Sequence, residues 1–132
     1  MKHPNLAAWE DKLHALLDEL DDILEDSYGH HYRLHPARPQ RGTTSSKSHD
    51  GLFDITANFT LGLGSELGKG YVIDIHLSTL QKVSEEIFDQ IEAKTIDHLR
   101  KRLPYYFPNR HLDVKQDGTT IKLYGDLSLG NV

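Results

Sequence analysis

The side chains best suited to chemistry lie in one basic segment, residues 28–50, which carries four histidines, three arginines and one lysine against a single acid. Arginine binds phosphate groups through two parallel hydrogen bonds, and histidine adds a donor whose charge changes near neutral pH. Pro36, Pro39 and Gly42 predict an irregular loop here, and long loops in compact domains commonly carry function. The ligand-binding candidates in this loop are Arg33, His35, Arg38 and Arg41.

This basic loop stands against an acidic background. The whole chain has a formal net charge of −5, and residues 1–27 hold eight acids against two lysines. A local excess of positive charge on an acidic protein favours a site for an anionic ligand, such as a phosphorylated compound or RNA, and no DNA partner is expected. The same arginines could instead pair with the acids of residues 1–27 and bind no ligand. Composition leaves both interpretations open.

A second candidate site lies on a predicted β-hairpin. Polar side chains alternate with apolar ones along residues 51–63 and again along residues 71–78, so each strand has one apolar and one polar face. The expected register pairs Phe59 with Ile75, Leu61 with Ile73, Asn58 with His76 and Thr60 with Asp74.

The polar face of this hairpin allows an enzymatic interpretation. His76 could act as a general base that Asp74 orients, with Asn58 beside them. No serine, threonine or cysteine stands in a recognisable nucleophile motif, and a solvated sheet face accounts for the same pattern. The catalytic candidates are therefore His76, Asp74 and Asn58. The alternative is that this face is an ordinary solvated surface.

Other motifs exclude several kinds of site. The glycine-rich residues 62–70 are followed by a strand, whereas a phosphate-binding loop leads into a helix. The histidines near residue 30 lie in a predicted loop and form no metal-binding motif, and there is no cysteine, so neither a metal nor a cofactor is expected. The apolar residues near the N-terminus are interrupted by charges, which argues against a signal peptide or membrane helix and favours the cytoplasm.

A long amphipathic helix is predicted over residues 5–26. Its apolar side chains recur every three or four positions; Asn5 is a plausible N-cap, or Pro4 the first helical residue, and Gly29 ends the segment. This stripe suits one face of the core. It could also pair with a second copy, so a homodimer through helix 5–26 is expected.

A second helix and a second hairpin follow. The helix is predicted from Ser84, its N-cap, to residue 103, where Pro104 would stop it. The hairpin is predicted around Asp117 and Gly118, with strands over residues 110–115 and 119–124. Its expected register pairs Leu112 with Leu123 and Val114 with Ile121.

The predicted element order is α-β-β-α-β-β. Two amphipathic helices and two hairpins with one apolar face each predict a two-layer α+β sandwich, in which both helices cover one face of a four-stranded, mainly antiparallel sheet. The chain is long enough for one such domain over residues 1–132.

Two short segments resemble an uncharacterised bacterial protein family. They are His35-Pro36-Ala37-Arg38-Pro39-Gln40-Arg41-Gly42 in the loop and Gly125-Asp126-Leu127-Ser128-Leu129-Gly130 in the tail. The resemblance covers the loop, the first hairpin and the tail, and it implies no activity.

The leading hypothesis from the sequence is a small cytoplasmic binding module. It would recognise a phosphorylated ligand or RNA through the loop at residues 28–50, beside the polar sheet face. One alternative is a small enzyme with its site on the polar face of the first hairpin. Another is a protein that only self-associates.

Overall fold

A computed structural model describes residues 4–127 and contains two helices and four strands. The predicted order and the two-layer α+β fold are confirmed, and the tail beyond residue 127 lies outside the described residues. The elements are α1 (Pro4–Tyr28), β1 (Phe53–Thr60), β2 (Gly70–Leu77), α2 (Glu85–Tyr106), β3 (Leu112–Asp117) and β4 (Thr120–Gly125), with a short 3₁₀ turn at Lys47–His49.

The strands form one antiparallel sheet in the order β1-β2-β4-β3, so β1 and β3 are its edges. Both helices pack on the face that carries Ile55, Ile73 and Leu123. The core beneath α1 consists of the apolar stripe that the sequence predicts, with Trp9, Leu13, Leu16, Leu17, Leu20 and Leu24 all buried.

The predicted register of the first hairpin is wrong. Phe59 pairs with Tyr71, Ile55 pairs with Ile75, and Asp54 rather than Asn58 lies opposite His76. Alternation fixes which side chains share a face, but the register also depends on where each strand stops. Residues 61–69 leave the sheet as a loop, which moves every pair by four positions without exchanging the faces.

Phe59 lies on the apolar face of β1, where the alternation predicts burial, yet its side chain is 54% exposed. Ile73 is buried as predicted, and Ile75 is half-buried.

The second hairpin turns one residue later than predicted. Asp117 pairs with Thr120, and Gly118 adopts a φ of 64°, a left-handed conformation that glycine accepts at no steric cost. Val114 therefore faces Leu123 instead of Ile121.

Helix α2 starts where the sequence predicts but ends later. The Ile87 amide donates to the Ser84 hydroxyl over 3.3 Å, which confirms the N-cap. Pro104 lies inside α2 and the helix continues past it to Tyr106, so the predicted end is wrong. Phe107 follows the helix and packs against Trp9 with ring centroids 4.3 Å apart, which holds this end on α1.

Within residues 4–127, neither helix is apolar enough over a sufficient length to cross a membrane.

Candidate functional site

The loop that follows α1 is folded onto the protein around Arg38. The Arg38 guanidinium donates to four main-chain carbonyls, those of Ser48 (2.7 Å), Gly51 (2.9 Å), Phe53 (3.0 Å) and Asp50 (3.2 Å). These bonds tie the middle of the loop to its C-terminal end and to the first residue of β1. Among the described residues no carboxylate pairs with Arg38, so its positive charge is fixed in place without being neutralised.

Arg41, another ligand-binding candidate, is held among carboxylates. Its Nη1 lies 2.8 Å from Asp21 Oδ1 and 3.4 Å from Asp50 Oδ1, and its Nη2 lies 2.7 Å from Asp22 Oδ1. Lys47 also pairs with Asp22. This is the pairing between loop and helix acids that the sequence allowed, and it leaves Arg41 little charge to offer a ligand.

Asp21 is the most deeply buried member of this cluster. Burial raises the pKa of Asp21 to about 7, while the nearby Arg41 lowers it and the nearby Glu25 raises it. Its Oδ1 accepts no aligned hydrogen bond, so the contact with Arg41 is an ion pair only. Glu25 accepts instead from the Phe53 amide at 2.8 Å, which ties the start of β1 to α1.

Two of the loop candidates, His35 and Arg38, border a shallow cleft. His35, Arg38 and His76 line it, together with Ser78 and Thr79, and its volume is about 310 Å³. The loop is positioned here by the His35 amide, which donates to the Ser78 carbonyl at 2.8 Å. His35 Nδ1 accepts from the Ala37 amide at 3.0 Å, so the opposite ring nitrogen stays available. The cleft thus joins a loop candidate, His35, to a hairpin candidate, His76.

Arg33 lies apart from this cleft. Its side chain is exposed, and its amide donates to Gln81 Oε1 at 2.6 Å. The structure therefore separates the three arginines: Arg38 borders the cleft, Arg41 is paired with acids and Arg33 faces solvent.

The catalytic candidates share the outer face of the sheet without forming a dyad. Asn58 donates to Asp74 at 3.3 Å, and both are exposed. His76 is exposed two positions along β2, and no hydrogen bond within residues 4–127 joins it to Asp74. The orienting contact that a general base requires is not formed in this arrangement.

Sequence reasoning missed a buried cation on this outer face. Lys122 is only 2% exposed because the loop at residues 61–69 folds over it. Its Nζ donates to Ser65 Oγ at 3.1 Å and lies 3.4 Å from Asp117 Oδ2, while Ser65 donates to the same carboxylate at 2.6 Å. A lysine that alternates with apolar residues along a strand, here Ile121 and Leu123, normally predicts solvent exposure, so the sequence held no signal for this burial.

A second polar network joins the two helices. Glu19 on α1 accepts from Arg102 Nε at 2.6 Å and from the Tyr106 hydroxyl at 2.7 Å, and His98 Nε2 lies 2.9 Å from it. The hydrogen bond from Arg102 is the main cause that lowers the pKa of Glu19. These residues clamp α2 to α1 and face no cleft. Among residues 4–127, no three histidine, aspartate or glutamate side chains are arranged to hold a metal ion.

Comparison with known proteins places the chain in a family. A family model described as an uncharacterised protein matches residues 4–125. A protein of Borreliella burgdorferi, also described as uncharacterised, is 41% identical over 112 residues, which cover 85% of this chain and 87% of that protein. No solved structure matches. The chain therefore belongs to the family of uncharacterised proteins whose model spans residues 4–125, in agreement with the resemblance in the loop.

Proposed function

We propose that this protein binds a small phosphorylated ligand in the cleft between His35, Arg38 and His76. The observation that carries the proposal is the state of Arg38, which is held by four carbonyls and has no carboxylate partner among the described residues. A guanidinium fixed in this way needs little reorganisation to meet an anion. The two histidines can add hydrogen-bond donors, and further positive charge when protonated.

The size and lining of the cleft favour a small ligand over a nucleic-acid strand. Its volume of about 310 Å³ lies at the lower end of the usual range for small-molecule sites. Ser78 and Thr79 add hydroxyl groups at its wall. No phenylalanine, tyrosine or tryptophan lines it, so the two histidines are the only rings in the cleft on which an RNA base could stack. Of the two anionic partners that the sequence suggested, the phosphorylated small molecule is therefore preferred.

The proposed ligand set differs from the one expected from sequence. His35 and Arg38 stay in it, and His76 joins them from the catalytic candidates. Arg41 is left out because Asp21, Asp22 and Asp50 match its charge, and Arg33 is left out because it lies away from the cleft. The enzymatic alternative has less support, because Asp74 binds Asn58 and makes no described bond to His76.

Binding of inorganic pyrophosphate, followed by NMR, tests the proposal. We expect saturable shifts at His35, His76, Ser78 and Thr79. The double variant His35→Ala/His76→Ala should abolish these shifts. The matched control His30→Ala/His49→Ala removes two exposed loop histidines outside the cleft and should bind normally. Shifts that spread evenly over the loop, or tighter binding of a short RNA, would reject the cleft.

Location and assembly are separate proposals. A cytoplasmic location fits the absence of cysteine from the sequence. A homodimer through α1 would have to use the exposed side of that helix, because its apolar stripe packs in the chain's own core. Sedimentation equilibrium at micromolar concentration tests the dimer, and a mass of 15.0 kDa would remove it.

A further inference from the structure

The edge strand β1 has unpaired main-chain groups near its C-terminal end. At the other end the Phe53 amide donates to Glu25 and its carbonyl accepts from Arg38, so the main-chain groups of Phe53 point away from β2. In an antiparallel strand every second residue points the same way. Ala57 and Phe59 therefore direct their amides and carbonyls outward, and no hydrogen bond within residues 4–127 reaches these groups.

This edge lacks the protection that the other edge has. Proteins protect exposed edges with charged side chains, proline or bulges. Strand β3, at the far edge, carries Asp113, Lys115 and Asp117. In β1 the residues from Ile55 to Thr60 include no charge and no proline. Ile55 is buried beside Ser48, so the open part of the edge begins at Ala57.

A groove lies along this open edge, between β1 and α1. Its volume is about 620 Å³, and its floor includes Leu13, Leu17, Ala57, Phe59 and Tyr71. The Phe59 ring packs edge-on against Tyr71 with centroids 5.6 Å apart, yet Phe59 remains 54% exposed. The chain then continues through Leu61 and Leu63, which are 66% and 90% exposed. Exposed apolar side chains that continue from an open groove are typical of a contact surface.

The charges around the groove are acidic. Asp11 lies on its α1 wall, beside Glu10 and His14, and among residues 4–127 no lysine or arginine lines it. On the outer face of β1 and β2, Asp54 and Asp74 are close to the same edge. A segment that covers this edge therefore meets negative charge on both sides of the sheet.

A second copy of this chain fits these charges poorly. Pairing β1 with its own copy would bring the two α1 helices side by side. The acids of each groove wall would then face those of the other, and like charges across an interface oppose association. A segment with lysine or arginine among its apolar residues meets the same edge without this repulsion.

We infer that the edge of β1 from Ala57 to Thr60 binds an extended segment of another protein, one that alternates basic and apolar side chains. The segment would add a strand to the sheet through the amides and carbonyls of Ala57 and Phe59. Its apolar side chains would pack on Leu13, Leu17 and Phe59. Strand addition of this kind obtains its affinity from main-chain hydrogen bonds and its specificity from alternate side chains.

A labelled peptide of alternating lysine and valine, KVKVKVK, is a suitable probe. We expect one peptide per chain by fluorescence anisotropy, and slower hydrogen exchange at the Ala57 and Phe59 amides by NMR. The same peptide N-methylated at every second amide keeps its charge but has lost the donors of one edge. It should bind about tenfold more weakly, which corresponds to about 1.4 kcal/mol.

Matched variants locate the contact. Phe59→Lys places a positive charge in the groove and should weaken binding of KVKVKVK about tenfold or more. Leu80→Lys makes the same change at another exposed apolar residue, which lies outside the groove and is 75% exposed, and should bind normally. Thermal melts show whether both variants fold, and if Phe59→Lys does not, Phe59→Ala replaces it.

Three results would overturn the inference. Equal binding of the N-methylated peptide would mean that charge alone attracts the probe. No binding by wild-type protein at low salt would mean that the edge accepts no such strand. A wild-type dimer that Phe59→Lys dissociates would assign the edge to a second copy of the chain.

Discussion

Arg41 and Asp21 form the ion pair that fixes the basic loop to α1. Arg41 Nη1 lies 2.8 Å from Asp21 Oδ1, and the Asp21 side chain is 2% exposed. A positively charged loop thus neutralises an acidic helix within the same chain. The charge contrast seen in the sequence serves the fold at this point, and Arg38 is the loop arginine that borders the proposed ligand cleft.

Removal of Arg41 should destabilise the protein strongly. Arg41→Ala removes the cation between Asp21 and Asp50, and breaking a buried pair on one side costs about 3–5 kcal/mol, less where the acid left behind can take up a proton. Because Arg41 is partly exposed, we expect the lower end of that range, measured by urea titration at neutral pH. Arg33→Ala removes an exposed arginine of the same loop and should change the free energy of unfolding by less than about 0.5 kcal/mol. Equal losses in the two variants would contradict this role of Arg41.

Asp21 should make the stability depend on pH in the opposite sense to an ordinary paired carboxylate. Burial raises its pKa in the folded protein to about 7, from an ordinary value of 3.8. Between these values the unfolded chain releases the Asp21 proton and the folded chain keeps it, so the folded state binds more protons. The contribution of Asp21 to the free energy of unfolding is therefore retained below pH 3.8 and is lost as the pH rises through about 7.

The variant Asp21→Asn isolates this effect. Each pKa unit corresponds to about 1.4 kcal/mol. As the pH rises from about 4 to about 8, the free energy of unfolding of the variant should therefore increase relative to that of wild type by more than this amount. Urea titrations at several pH values give the difference directly. Asp22→Asn is the control: although burial would raise the pKa of Asp22, its hydrogen bonds to Lys47 and Arg41 lower it below 3.8, so its contribution changes only at more acidic pH and this variant should show little trend between about pH 4 and pH 8. A pH-independent difference for Asp21→Asn would contradict the raised pKa.

Lys122 should tolerate an apolar replacement better than truncation. Lys122→Met keeps the volume that the loop at residues 61–69 covers, and the partly exposed Asp117 keeps solvent and the Ser65 hydroxyl as partners, so we expect a loss below about 1 kcal/mol. Lys122→Ala leaves a cavity and should cost about 2 kcal/mol or more. Lys115→Ala, on the adjacent strand but exposed, should be nearly neutral. Equal costs for Met and Ala at position 122 would show that the charge matters more than the packing.

The sequence predicted the helices, the strands and their faces because these depend on local periodicity. The stripe of α1 and the alternation in β1 both appear in the structure on the faces expected for them. The registers were wrong because they depend on the length of each loop, and no local pattern showed that β1 ends at Thr60. The end of α2 was also predicted wrongly, because Pro104 lies inside the last turn of the helix rather than after it.

The candidate site was predicted only in part. Composition placed His35 and Arg38 in one loop, and periodicity placed His76 on a polar face, but nothing in the sequence brought the loop to that face. Their meeting depends on long-range bonds, such as that from the His35 amide to the Ser78 carbonyl. The neutralisation of Arg41 likewise depends on tertiary packing, which charge counts do not specify.

Ile73 and Phe59 should respond differently to truncation although both lie on the apolar face of the first hairpin. Ile73 is 3% exposed, so Ile73→Ala should cost about 2–4 kcal/mol. Phe59 is 54% exposed, and Phe59→Ala should cost less than about 1 kcal/mol. Chemical denaturation of the two variants provides the comparison. A large loss at Phe59 would indicate that this end of β1 is covered in solution, as a dimer or a bound partner would cover it.

Arg38 should be needed both for the folded loop and for anion binding. Arg38→Lys keeps the positive charge but replaces the planar fork, and one ammonium is poorly shaped to reach all four carbonyls. We expect a loss of about 2 kcal/mol, since hydrogen bonds from a charged group contribute about 1.5–3 kcal/mol each and lysine retains some of them. Hydrogen exchange should accelerate across residues 38–51, and pyrophosphate binding should weaken. Arg33→Lys is the matched control and should leave exchange and binding unchanged. If Arg38→Lys bound pyrophosphate as wild type while its loop exchanged faster, Arg38 would be structural only, and the anion site would have to lie elsewhere.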